Sequence, residues 1–198
     1  MKSLIISMSL LFFVGCSITI PHVLEYRINP EIVTIDKPSN QCKNKTLKVS
    51  QVFTSNSLKT KSMQYAGDGY KVFEFTESEW GSTPNKAITD ALLISVRKAT
   101  SFATVSGYRS RTKTDFILET NVDSFMQYFS KDNNSSYVDV SLSFTLVDAK
   151  SGKPLSSKVV HEEIKTESAD ALGGVNALNR ALSKALNSAN IWLDSSCK

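Results

Sequence analysis

Val138, Val140, Leu142, Phe144 and Leu146 alternate with Asp139, Ser141, Ser143 and Thr145, giving one apolar face and one wet face. A period of two is the signature of a half-buried β-strand. Before it, Phe116, Leu118, Val122, Met126 and Tyr128 predict one face of a long strand, and the polar run Lys131 to Ser135 predicts the turn between the two. Asp148 to Lys153 then turns the chain into a third strand through Val159, Val160 and Ile164. Strands joined by such short turns predict an antiparallel meander. Nearer the N-terminus, Leu47 to Phe53 alternates as a further strand. Met63 to Ala66 and Tyr70 to Phe75 flank Gly67-Asp68-Gly69 as the arms of a hairpin.

Two segments change to helical spacing. Thr83 and Pro84 suit the N-cap and first position of a helix, where the missing proline N–H costs nothing. Ala87, Ile88, Ala91, Leu92, Ser95, Val96 and Ala99 form its stripe, the helix ends near Thr100, and Phe102 to Val105 reads as a short strand. The second helix runs from about Ala171 to Leu193, with Val175, Leu178, Leu182, Ala185, Ala189 and Trp192 in steps of three and four. Its stripe suits either its own sheet or a neighbouring subunit. Gly173-Gly174 is a weak start that predicts a fraying first turn. Together these elements predict an α+β domain: an antiparallel sheet of hairpin plus three-strand meander, with two helices packed on one face.

The N-terminus has a different character. Leu4 to Val14 carries no charge and comes directly after Met1-Lys2 and Ser3. A membrane-spanning helix needs about 20 apolar residues, so this run fits a secretory signal instead. It ends in Phe13-Val14-Gly15-Cys16, which resembles the lipobox of bacterial lipoproteins, with Phe13 where leucine is usual. The resemblance implies that residues 1–15 are a signal peptide and that Cys16 becomes the lipidated first residue. The alternative is a secreted protein cut elsewhere, although no A-x-A-like site lies nearby. At about 0.8 kcal/mol per buried CH₂, the two or three acyl chains of such an anchor, palmitate among them, hold permanently. Ser17 stands where enteric bacteria use Asp to retain lipoproteins in the inner membrane, which favours the outer membrane. Pro21, Pro30 and Pro38 punctuate the stretch after Ser17, so residues 16–41 read as a lipidated tether and 42–198 as the folded domain.

Composition narrows the function classes. The formal charge of +4 comes from 23 Lys+Arg against 19 Asp+Glu, too mild a balance for nucleic-acid binding, and no basic stripe with interleaved aromatics occurs. Beyond Cys16, Cys42 and Cys197 form an even pair that reads as a disulfide in an oxidising compartment, with two free thiols as the alternative. His22 sits in the tether, and His161 adjoins Glu162 and Glu163 in a strand that sends neighbours to opposite faces, which argues against a metal site. The sequence contains no G-x-S-x-G, H-E-x-x-H or phosphate-loop pattern. No catalytic residue or cofactor is expected. Trp80 either caps the core between hairpin and helix or faces a partner, and Tyr70 and Phe73, in the stretch that leads into it, are the other candidate partner-binding residues.

Several stretches share a pattern: the lipobox, Tyr26-Arg27-Ile28 with Pro30, Met63-Gln64-Tyr65 to Tyr70-Lys71-Val72-Phe73, Trp80, Pro84 with its helix, and Val147 to Pro154. The order resembles the auxiliary lipoprotein component of ABC-type transport systems, the kind encoded beside MCE-domain lipid transporters. That family commonly has a basic residue before the tryptophan and an acidic one after it, where Glu79 and Gly81 stand here. The resemblance implies a non-enzymatic, periplasm-facing component on the outer membrane. Its partners would be an MCE-domain protein and an ABC permease and ATPase that move phospholipid, and a homo-oligomeric ring is an arrangement it allows. The other reading of the residues is a scaffold or binding lipoprotein of a different envelope complex.

Overall fold

A computed structural model of the chain describes residues 22–35, 38–39, 41–68, 70–99 and 101–197. The predicted signal peptide, Cys16 and Gly69 of the hairpin turn lie outside the described residues. Eight strands form one sheet: β1 (Leu24–Tyr26), β2 (Thr46–Val49), β3 (Ser62–Ala66), β4 (Val72–Trp80), β5 (Thr104–Gly107), β6 (Phe116–Phe129), β7 (Ser136–Asp148) and β8 (Pro154–Lys165). Among the described residues there are also two α-helices, α1 (Pro84–Lys98) and α2 (Ala171–Asp194), and a short 3-10 helix at Asn56–Lys59. The meander β6–β7–β8 is antiparallel, as its short turns require. Gly152, at φ 70°, closes the second of these turns, and the hydroxyl and backbone N–H of Ser151 hold the Asp148 carboxyl below the usual range.

The sheet as a whole is mixed, which corrects the antiparallel expectation. β6 carries β7 along one edge. Its other edge is shared: β2 runs parallel to it at Phe116 to Leu118, Phe53 bridges to Asn121, and β3 runs parallel to it at Gln127 and Tyr128. β2 then pairs in parallel with β5, and β3 in antiparallel with β4. The two halves of this edge occupy opposite poles of the domain.

A bulge decides which side chains of β6 reach the core. The register between β6 and β7 shifts between Val122 and Ser124, and an extra residue reverses the in–out alternation beyond it. Phe116, Leu118 and Val122 point inward as predicted, but so do Phe125 and Gln127. Met126 and Tyr128 lie on the outer face instead, where Tyr128 stacks on Tyr137.

α2 lies across β7 and β8 with Val175, Leu178, Leu182, Ala185 and Ala189 buried, so the stripe serves its own sheet. α1 buries Ile88, Leu92 and Val96 and meets α2 where Asn190 donates to the Ser95 hydroxyl at 2.8 Å. Thr83 starts α1 through its carbonyl alone, which accepts from Lys86 and Ala87; its hydroxyl makes no cap bond.

The described part of the segment read as a tether is built into the domain. β1 pairs with β4 over Ser78 to Trp80, and the chain then runs beside α2 in the same direction. The Asn29 N–H donates to Asn179, Ser183 donates to the Glu31 carbonyl, and the Ser39 N–H donates to Asp194. Cys42 and Cys197 close this strap as a disulfide. For a separation of 155 residues, the chain-entropy model gives roughly 5 kcal/mol as an upper figure.

Gly173 and Gly174 mark a close approach, and the first turn of α2 is firmly capped. Asp170 accepts from the Gly173 N–H at 2.7 Å. A Cβ on Gly173 would stand 2.1 Å from the Ser168 carbonyl oxygen, and one on Gly174 would stand 2.0 Å from the Gln127 side chain. Gln127 is held there by bonds from its amide to the Ser136 hydroxyl and the Asp170 carbonyl. Gly→Ala inside a helix ordinarily stabilises by about 0.5–1 kcal/mol. Here Gly174→Ala displaces Gln127, and the expected outcome in urea unfolding is a loss of about 1–3 kcal/mol.

Candidate functional site

The arms of the β3–β4 hairpin do not match. Ser62 pairs with Glu79, yet Gln64 pairs with Glu74, so the segment Phe75 to Ser78 faces Met63 alone. The surplus residues bulge away from β3. They open a cleft of about 670 Å³ against the first turn of α2, within the volume usual for small-molecule pockets. Tyr26, Tyr65, Phe75, Phe129 and Leu172 supply its apolar surface, with Thr76, Glu77, Asn133 and Asp170 at the polar margin.

Tyr65 is the centre of the aromatic wall. Its ring stacks on Phe73 at 5.4 Å and meets Phe75 at 4.6 Å and Phe129 at 5.0 Å. Each such pair contributes about 0.5–1.5 kcal/mol beyond area burial, so the wall is preformed. The rim turn is also fixed. Asn133 takes the left-handed conformation at φ 55°, and Asp132 accepts from the Ser130 hydroxyl and then from Asn134, which holds its carboxyl below the usual range. A lowered folded pKa contributes stability above the ordinary carboxylate range, lost as pH falls through the folded value. The bonds that Ser130 and Asn134 donate to this carboxylate are therefore in place at neutral pH.

The one carboxylate of the cleft on α2's side is engaged in structure. The Asp170 carboxylate caps α2 and accepts from Ser168 at 2.8 Å. Among the described residues, no group of three or more His, Cys, Asp and Glu is placed to hold a metal ion. His161 meets Asp139 across β7 and β8 on the open face of the sheet, remote from the cleft. Among them too, no helix is long and apolar enough to cross a membrane. An aromatic wall with a polar margin holds apolar matter by burial.

The structure separates the three residues proposed for partner contact. Trp80 is only 5% exposed and its ring lies 6.2 Å from Phe125, so it belongs to the core and presents no surface. Phe73 is partly exposed above Tyr65, and Tyr70 is fully exposed at the hairpin tip. The sequence reading missed Tyr26, Tyr65, Phe75, Phe129 and Leu172 as one site. A signal was present: Phe73 and Phe75 share one parity and Trp80 has the other, which an unbroken strand burying all three cannot satisfy.

The sequence model described as "ABC-type transport auxiliary lipoprotein component" matches residues 26–189. Among solved structures, protein XCC0632 from Xanthomonas campestris superposes with a TM-score of 0.77 at 12% identity, covering 86% of this chain and 94% of its own. A second, described only as an uncharacterized protein, gives 0.63 at 15% identity over 82% and 99%. At such identities these likenesses establish the fold. Among curated proteins, none matches the chain in sequence.

Leu172, half exposed at the mouth, offers a test that spares the core. With an apolar fluorescent probe such as anilinonaphthalene sulfonate, Leu172→Trp fills the entrance and weakens binding by about tenfold, or about 1.4 kcal/mol. The melting temperature stays within a few degrees.

Proposed function

Because the chain belongs to the family of ABC-type transport auxiliary lipoprotein components, we propose that it is a non-enzymatic accessory of an MCE-type phospholipid transport system. In this reading residues 1–15 are removed, and Cys16 carries the acyl chains that hold the protein on the periplasmic side of the outer membrane. The domain itself does no bond-making. It positions a preformed surface for the machinery that delivers or collects lipid, and an assembly of several copies around a conduit is compatible with that role.

One observation carries the reading beyond family membership: the aromatic cleft opens at the pole from which the chain enters β1. β1 is parallel to β4, and β4 runs away from the hairpin tip. The chain preceding Leu24 therefore enters the sheet from the hairpin side. An anchor at Cys16 and an apolar cleft on one side of the domain is the arrangement a component handling bilayer lipid requires.

The test is purification of the lipoprotein from membranes, with mass spectrometry of its N-terminal peptide and its companions. The expected outcome is a chain beginning at Cys16 with thioether-linked diacylglycerol, recovered in the outer-membrane fraction together with an MCE-domain protein. Cys16→Ser abolishes the modification and releases the chain from that fraction. Companions drawn wholly from another envelope complex would instead support a scaffold role.

A further inference from the structure

The hairpin tip carries a group of apolar side chains that the fold leaves largely exposed, although Phe73 also stacks on Tyr65. Tyr70 is fully exposed, Val72 is 55% exposed and Phe73 is 44% exposed, on consecutive or near-consecutive positions at the end of the domain. Leu172 lies at the same pole, on the first turn of α2. Charges around the tip balance: Lys71 and Lys131 stand with Asp68 and Asp132, and Lys131 lies 3.8 Å from Asp68. Tyr70 lies on the turn itself, and Val72 and Phe73 open β4, where consecutive side chains point to opposite faces, so exposed apolar groups flank the tip on both sides.

The reach of the N-terminal chain says what covers them. Cys16 stands eight residues before Leu24, a span of at most about 29 Å at 3.6 Å per residue. Leu24 is level with Ser78, six residues along β4 from Val72, or about 20 Å of strand. The last residues before and at the entry to β1 are exposed and apolar, Val23 at 40% and Leu24 at 51%. An acylated Cys16 is therefore within reach of the hairpin tip. The loop after β5 and the turn after β7 lie at the opposite pole, and reaching it would require the chain to reverse with no length to spare.

We propose that Tyr70, Val72 and Phe73 form a second membrane contact, seated in the interfacial layer of the bilayer in which the anchor is embedded. Tyrosine favours this layer because its ring is apolar and its hydroxyl stays wet. One lipidated residue fixes a point and leaves orientation free; a second contact fixes the axis of the domain and directs the cleft toward lipid. The balanced charge at the tip makes this contact aromatic in origin, so it is insensitive to salt and to anionic lipid content. The inference rests on the lipidated Cys16 of the proposed function.

The experiment uses the purified lipoprotein in vesicles of phosphatidylethanolamine and phosphatidylglycerol, and separately of phosphatidylcholine. Tyr70→Cys and, at the opposite pole, Thr112→Cys each receive an environment-sensitive fluorophore; Cys42 and Cys197 are bonded to each other and leave the new thiol to react. The expected result is blue-shifted emission at position 70, quenched several-fold by lipid-borne nitroxide in both vesicle types and in high salt, with position 112 unaffected. An acylated protein that floats with vesicles while position 70 reports water overturns the second contact and leaves the anchor standing. Equal quenching at both positions overturns it as well. An N-terminal peptide without acyl chains overturns both.

Discussion

β6 has two neighbours along one edge, and the rest of the architecture depends on that. Its 14 residues make it far longer than the strands flanking it on that side. Every backbone donor and acceptor left bare there would carry a desolvation cost. The chain covers the edge in pieces: β2 first, then Ser50 and Phe53 bonding to the backbone at Leu118, Thr120 and Val122, then β3. Because the pieces are separate, each leads to its own satellite strands. β5 joins one pole, while β4 and β1 join the other. The cleft exists only at the second pole, so the functional polarity of the domain begins as a hydrogen-bonding requirement of one strand.

Two bulges then shape what that edge supports. The bulge in β6 turns Phe125 inward, where it meets Trp80 and ties the β4 side of the sheet to the core. The mismatch in β4 acts in the other direction, freeing Phe75 to Ser78 from β3 and leaving the cleft between them and α2. Close packing of Gly173 and Gly174 on Ser168 and Gln127 brings the start of α2 near enough to form the far wall. A cleft made by two irregularities and two glycines is specified by geometry that no single element contains.

That origin explains what the sequence disclosed and what it did not. β7 and both helices were legible because their periodicity is unbroken from end to end, and burial enforces it locally. The parallel pairings were not, since each links segments far apart in the chain and no short turn announces them. Met126 and Tyr128 were placed inward because a period of two was carried through a bulge. Gly173-Gly174 was read through helix propensity, a local quantity, whereas the reason for glycine there is the Gln127 side chain arriving from β6. Trp80 shows the same limit: its chemistry suits an interface, but its neighbour Phe125 lies 45 positions away and decides the matter. The partial exposure of Phe73 and the full exposure of Tyr70 come from the hairpin tip projecting past β6.

The strap along α2 gives the anchored reading a mechanical basis. A lipid-held protein experiences any pull through its first ordered residues. Here that force enters at β1, which lies parallel to β4 and so resists in shear. It then passes to a segment bonded to α2 at Asn179, Ser183 and Asp194 in turn. The segment ends at Cys42, joined covalently to Cys197 just beyond the end of α2. Load is thereby distributed along the helix that spans β7 and β8, and the covalent bond stops the strap from peeling away from the far pole. A flexible tether over residues 16–41 would have left the orientation of the domain undetermined. Docking of the described part of that segment, first on β4 and then along α2, instead fixes where the chain enters the domain, at the pole that holds the hairpin and its cleft.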